Sequence, residues 1–203
     1  MKKVLKIVLL LSWMGSWTAL ADDESDPVTT VPELNVDQYL GKWYQIATIP
    51  AWFQRNCVKN TTAEYSKRED GLIRVENRCE KEDGKISSVE GAARLNPKFD
   101  SPSKLQVSFV KLLGHWIWLF GGNYWVMDLG KSENKYEYSI VGDPTRKYLW
   151  ILARKPQLSL EELRSIRDKI KAQSYSLDKI IVTQEGELKA KKLSALDEES
   201  SQP

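Results

Sequence analysis

The chain has 203 residues, 30 of them Lys or Arg against 28 Asp or Glu, with one His and two Cys. That length suits one domain with a real core, and the formal charge of +2 provides no basic stripe for a phosphate backbone, which argues against a nucleic-acid binder. With His115 as its only histidine, the chain has no His cluster that could hold zinc.

Residues 1–21 read as a signal peptide. Lys2, Lys3 and Lys6 form a basic head, residues 4–11 are apolar apart from Lys6, and Ala19-Leu20-Ala21 ends where Asp22-Asp23-Glu24 begins. Small residues at −3 and −1 before an abrupt polar switch suit signal peptidase, and the apolar run is too short to span a bilayer. Cleavage after Ala21 removes those three lysines and leaves 27 basic against 28 acidic groups. Asp22 stands where a bacterial lipoprotein would carry its acylated cysteine. The expectation is an exported protein, periplasmic or secreted, without an N-terminal lipoprotein anchor. Residues 22–32 read as a flexible acidic segment, and residues 184–203 as a flexible tail.

Between them, residues 33–183 read mostly as strands: 41–49, 61–67, 72–79, 85–95, 104–110, 123–129, 135–141 and 147–154. Short turns rich in Gly, Asn, Asp or Pro separate them, Glu69-Asp70-Gly71 being a hairpin signal. One stretch departs from period two. Over 159–172, Ser159 and Glu162 make a capping box, and Leu160, Leu163, Ile166 and Ile170 form one apolar stripe. A short strand at 179–182 follows. Eight successive antiparallel strands without a βαβ rhythm predict an all-β, eight-stranded up-and-down barrel with one amphipathic helix packed outside, since closure removes both edges. Eight strands enclose room for one small ligand.

The segment Asn35, Tyr39, Gly41, Trp43, Tyr44 resembles the N-x-x-x-Y-x-G-x-W-Y signature of the lipocalins. Val141-Gly142-Asp143-Pro144 ahead of Tyr148 to Arg154 is similar to that family's closing strands, and residues 46–55 (IATIPAWFQR) resemble its bacterial and apolipoprotein D branch. The resemblance covers roughly residues 32–184. It implies that Gly41, Trp43 and Arg154 are structural, with the Arg packed on the Trp as a floor worth about 0.5–2 kcal/mol as a cation–π contact. It also implies a Cys57–Cys79 disulfide. A plain hairpin about Asp70-Gly71 puts residue 84 opposite Cys57, so the bridge requires a mouth loop that folds back. The rival is a nucleophilic thiol like that of the prostaglandin-isomerising lipocalin, but Cys57 stands before the second strand rather than on it.

Alternation nominates the ligand-binding lining. From Trp43 inward come Gln45 and Ala47; from Arg154 come Trp150 and Tyr148; the other strands offer Val75 and Asn77, Val107 and Phe109, Tyr124 and Val126, and Tyr138 and Ile140. The lining is apolar and aromatic, without a cluster of cations, so a charged head group would stay near the rim. For any one of these residues, a filled core is the competing reading. Loops 50–60, 81–84, 111–122 and 143–147 fall at the open end, where Trp52, Phe53, His115, Trp116, Trp118 and Phe120 gather. Residues 112–120 are open to three readings: contact with a membrane surface, a lid over the ligand, or a homodimer interface or strand extension.

The expected function is non-catalytic binding, transport or storage of a small hydrophobic ligand, foremost a fatty acid or lysophospholipid, by a monomer or homodimer and without a cofactor. The resemblance adds a role in membrane maintenance under stress. A haem or tetrapyrrole binder, or an enzyme on the same scaffold, is the alternative; the first would turn to His115 as axial ligand, and the second lacks a polar cluster in the cup. In a third class the cavity is incidental to protein interaction.

Overall fold

The computed structural model describes residues 26–132 and 134–196. The signal peptide expected over residues 1–21, residues 22–25 and the last seven residues lie outside the described part. The strands run in chain order as β1 (Gly41–Thr48), β2 (Lys59–Lys67), β3 (Ile73–Glu80), β4 (Ile86–Leu95) and β5 (Lys104–Ser108). A two-stranded hairpin of β6 (Lys111–Leu112) and β7 (His115–Trp116) follows, then β8 (Gly122–Ser132), β9 (Lys135–Gly142) and β10 (Leu149–Ala153). Each long strand pairs antiparallel with its neighbour, β5 with β8 across the hairpin, and β1 pairs with β10 through Tyr44–Ala153 and Thr48–Trp150. The sheet is an eight-stranded antiparallel barrel, closed on itself, with no long edge left to recruit another chain.

Period-two alternation divides the apolar residues between two cores. One fills the barrel: Trp43, Ala63, Tyr65, Val75, Ala93, Leu105, Val107, Val126, Val141 and Leu152. The other lies outside, where Ile46, Trp125, Met127, Leu149 and Ile151 meet the helix α2 (Leu160–Ala172) through Leu163, Ile166 and Ile170. Each of those three helix residues contributes about 1.5–3 kcal/mol by leaving water. The Ser159 hydroxyl accepts from the Glu162 amide while the Glu162 carboxylate accepts from the Ser159 amide, so the helix begins where the capping box predicts.

Three bulges change which residues face the interior. In β1, Gln45 opposes Leu152 but Ala47 opposes Ile151, so Ile46 is an extra residue. Ala47 therefore turns outward into the helix-facing core, and Thr48 takes the inward place opposite Trp150. In β9, Glu137 is extra: Tyr136 points inward, while Tyr138 and Ile140 face out beneath α2. Ala47, Tyr138 and Ile140 thus do not line the cup, contrary to the alternation. A third extra residue, Met127, lets Val126 and Leu129 both face inward.

Both flanking segments pack on the barrel where they are described. Residues 26–32 follow the barrel, with Val28 buried and the Val31 amide donating to the Val126 carbonyl at 3.0 Å. After α2, β11 (Ile181–Val182) adds to β1 through Ala47–Val182 and Thr48–Ile181. Beyond residue 184 the chain stays on the outer core: Leu193 and Leu196 are fully buried, and Arg164 donates to the Leu196 carbonyl at 2.8 Å. Two leucines spaced among charged residues carry little periodic signal, yet they suffice to hold this segment.

Candidate functional site

The floor is built from the signature residues. The short helix α1 (Val36–Tyr39), capped by the Asn35 side chain, crosses the closed end. The Trp43 indole N–H donates to the Tyr39 carbonyl at 2.8 Å, and the Arg154 guanidinium lies 3.8 Å from the centroid of the Trp43 ring. The same guanidinium donates to the carbonyls of Gln38 (2.8 Å), Leu40 (2.9 Å), Lys42 (2.9 Å) and Tyr136 (3.3 Å). Gly41 sits among these groups at φ +90°, where a side chain would be strained. Trp43 and Arg154 close the cup.

Above the floor stands a hydroxyl cluster. Tyr124 shares hydrogen bonds with Tyr39 (2.7 Å) and Tyr65 (2.9 Å), and Tyr39 donates to Ser139 at 3.0 Å. Burial pushes the Tyr39 phenol up to about 12 and raises Tyr65 and Tyr124 further, so all three are neutral at physiological pH. A cavity of about 30 Å³, lined by Leu34, Tyr39, Leu105 and Tyr124 among others, is the size of one water and shows how fully side chains fill this lower end. Alternation nominates Tyr124 but not Tyr39, Tyr65 or Ser139. The signal for Tyr65 was available in its two-residue spacing from Ala63.

Val75, Val107 and Val126 join this interior, and Asn77 shares its face through pairing with Ala63. Phe109 continues the row at the rim, its ring against Gly91. At the mouth, Phe53 lies 6.0 Å from Tyr148 and 6.4 Å from Trp150, and Tyr148 stacks on Trp150 at 6.0 Å. Trp52 packs edge-on to Phe53 and is 72% exposed. Gln54 ties this group together, accepting from the Trp150 indole at 3.1 Å and donating to Gln45 at 3.1 Å. Cys57 is disulfide-bonded to Cys79. A bulge at Asn60, with φ 55°, and the turn in which Cys57 donates to the Gln54 carbonyl fold the loop back over Cys79.

The aromatic loop does not lie over the cup. Val107 faces inward, so Gln106 and Ser108 face out, and both bind this loop: Ser108 donates to the Ile117 carbonyl and Gln106 to the Trp118 carbonyl, each at 2.8 Å. Arg94, also on the outer wall, caps the Trp118 ring at 4.1 Å, and Lys111 and Arg68 flank Trp116. The segment is a small hairpin clamped to the outside of β4 and β5, which corrects the lid reading. His115 is exposed on β7, outside the barrel wall and away from the interior. Leu113 at the hairpin tip is 90% exposed, Leu119 is 86% exposed, and Leu112 and Phe120 are exposed beside them.

Comparison with known proteins agrees with this architecture. A family model described as a lipocalin-like domain matches residues 34–185. The chain belongs to the lipocalin family. It is 34% identical over 158 residues to temperature-induced lipocalin-1 of Arabidopsis thaliana, covering 77% of this chain and 82% of that protein. It is 33% identical over 162 residues to outer membrane lipoprotein Blc of Vibrio cholerae, covering 79% and 88%. Apolipoprotein D of Oryctolagus cuniculus is 32% identical over 162 residues, covering 77% and 80%. Among solved structures, insecticyanin from Manduca sexta shares the fold at TM-score 0.59 and 20% identity, over 81% of this chain and 88% of that one. The barrel of this lipocalin is of the type suited to binding a small hydrophobic ligand. Among the described residues no group of three or more His, Cys, Asp or Glu is placed to hold a metal.

Proposed function

We propose that this lipocalin is an exported carrier for a single-chain lipid, a fatty acid or lysophospholipid, taken up with its acyl chain in the barrel and its polar end at the mouth. The observation that carries the reading is the character of the interior. The walls are apolar, the deepest polar groups are neutral phenols, and the Arg154 charge is spent on four backbone carbonyls. Such a cup rewards a slender hydrocarbon by about 0.8 kcal/mol per buried methylene and offers no counter-ion to a charged head.

The exposed hairpin supports transient contact with a membrane surface as part of the same role. Leu113 is held at φ 48° with nearly all its surface in water, an unfavourable backbone and an unfavourable solvation at one residue. Cleavage after Ala21 would place the protein in a cell envelope or secretory space, and the oxidised Cys57–Cys79 pair suits such a compartment.

The test is native mass spectrometry of the mature protein from its own host, with extraction and identification of whatever lipid co-purifies. A discrete increment assigned to a fatty acid or lysophospholipid supports the carrier role. An apo mass that stays unchanged after incubation with acyl lipids overturns it.

A further inference from the structure

The barrel wall is split on one side near the mouth. Pairing between β1 and β2 ends at Tyr44–Thr62. Above that level the two strands part: Ile46 bulges out of β1, Asn60 bulges out of β2, and the disulfide pins the loop before β2 to Cys79 on β3. The edge of β1 so vacated is taken by β11. Between β11 and β1 on one side and the start of β2 on the other lies a cleft of about 230 Å³.

Its lining is more polar than the barrel interior below it. Gln45, Gln54, Thr61 and Thr183 contribute amides and hydroxyls, Arg55 and Lys59 contribute two cations, and no carboxylate is among the lining residues. Lys59 is already paired with Glu80 at 3.0 Å, whereas the Arg55 guanidinium makes no hydrogen bond or ion pair among the described residues. Gln54 donates one amide proton to Gln45, and Gln45 one to Thr183 at 3.3 Å, so each side-chain amide keeps a second N–H to offer. The cleft borders the barrel interior, because Gln45 and Thr48 on its wall oppose Leu152 and Trp150 on the inner face of β10.

We infer that this cleft is a lateral head-group port, which holds the anionic oxygens of an amphiphile, carboxylate or phosphate, while its chain lies in the barrel. The inference rests on the carrier reading and adds where the head goes and what charge it bears. A donor-rich slot with one uncommitted guanidinium recognises an anion by charge-assisted hydrogen bonds and discriminates against an uncharged alcohol of equal length.

Three twelve-carbon probes separate the possibilities: dodecanoate, dodecyl phosphate and dodecanol, titrated calorimetrically into the full mature protein and into Arg55→Glu. The expected result is that both anions bind the wild type more tightly than dodecanol, and that Arg55→Glu weakens the anions about tenfold or more while dodecanol is unchanged. The anion that loses more identifies the source, dodecyl phosphate for a lysophospholipid-type head and dodecanoate for a free fatty acid. If Arg55→Glu leaves the anions unchanged, or weakens dodecanol equally, the port is overturned while the carrier reading stands. If none of the three binds the wild type, the carrier reading fails and the port with it. Because Arg55 is exposed and its guanidinium makes no hydrogen bond or ion pair among the described residues, the variant tests binding rather than folding.

Discussion

Arg154 donates to four carbonyls and covers one indole face. Removing it strands those carbonyls at the floor, so Arg154→Ala is expected to lower stability by about 3 kcal/mol or more, read as a shift of the urea midpoint. Arg154→Lys recovers only part of this, since an ammonium cannot reproduce the planar fork. Gly142 is a second sensitive position. A Cβ there would lie 2.2 Å from the Tyr175 hydroxyl and 2.5 Å from the Met127 sulfur, and that hydroxyl donates to the Asp143 carbonyl at 2.8 Å. Gly142→Ala therefore overpacks the outer core, at a cost of about 1–3 kcal/mol, measurable by thermal unfolding. The buried phenols set an alkaline limit. Tyr39 and Tyr175 are both raised to about 12 in the folded state from an ordinary value of 10.0. Their contribution is complete below pH 10 and is lost as the pH rises toward 12, because the unfolded chain ionises first. Stability is expected to be insensitive to these groups at neutral pH and to fall above pH 10, with phenolate absorbance of Tyr39 appearing only on unfolding.

Among the elements, the segment after β11 is held by buried apolar side chains in an otherwise charged stretch. Leu193→Ala with Leu196→Ala is expected to cost about 4 kcal/mol or more, since each opens a cavity worth about 2–5 kcal/mol; a loose tail would show no change in thermal midpoint. The disulfide closes a loop of 22 residues in sequence separation, and its loss by Cys57→Ala with Cys79→Ala is expected to cost about 3 kcal/mol. These elements also show what the sequence could disclose. Strand number and the capping box rest on spacing and chemistry, which are local, whereas the packing of Trp43 on Arg154 joins distant positions and is implied by the resemblance of the signature. The inward set rests on uninterrupted alternation, and one extra residue reverses it: Ile46 turned Ala47 outward, and Glu137 did the same to Tyr138 and Ile140. The aromatic hairpin escaped for another reason. Its place on the outer wall depends on Gln106 and Ser108 from β5 and Arg94 from β4, whose relation to the loop exists only once the barrel has closed.

For the whole molecule, two clusters of apolar side chains stand apart. Phe53, Tyr148 and Trp150 meet at the mouth, while Leu112, Leu113, Leu119 and Phe120 project from the outer wall. If the second group serves membrane contact, Leu113→Asp with Leu119→Asp abolishes co-sedimentation with phospholipid vesicles and leaves dodecanol binding unchanged. Loss of both together would instead tie the hairpin to the cup.

The seam between β1 and β10 joins Tyr44 to Ala153, 109 positions apart, and β11 reaches β1 from still later in the chain. A polypeptide delivered amino end first must therefore wait, with its first long strand unsatisfied along one side, until almost all of its length has arrived. Folding follows delivery instead of accompanying it, and its rate is set by the search that brings distant strands together. During that interval the edge of β1 is a template for any passing strand. The barrel that is protected from aggregation once shut is most exposed to it in the moments before.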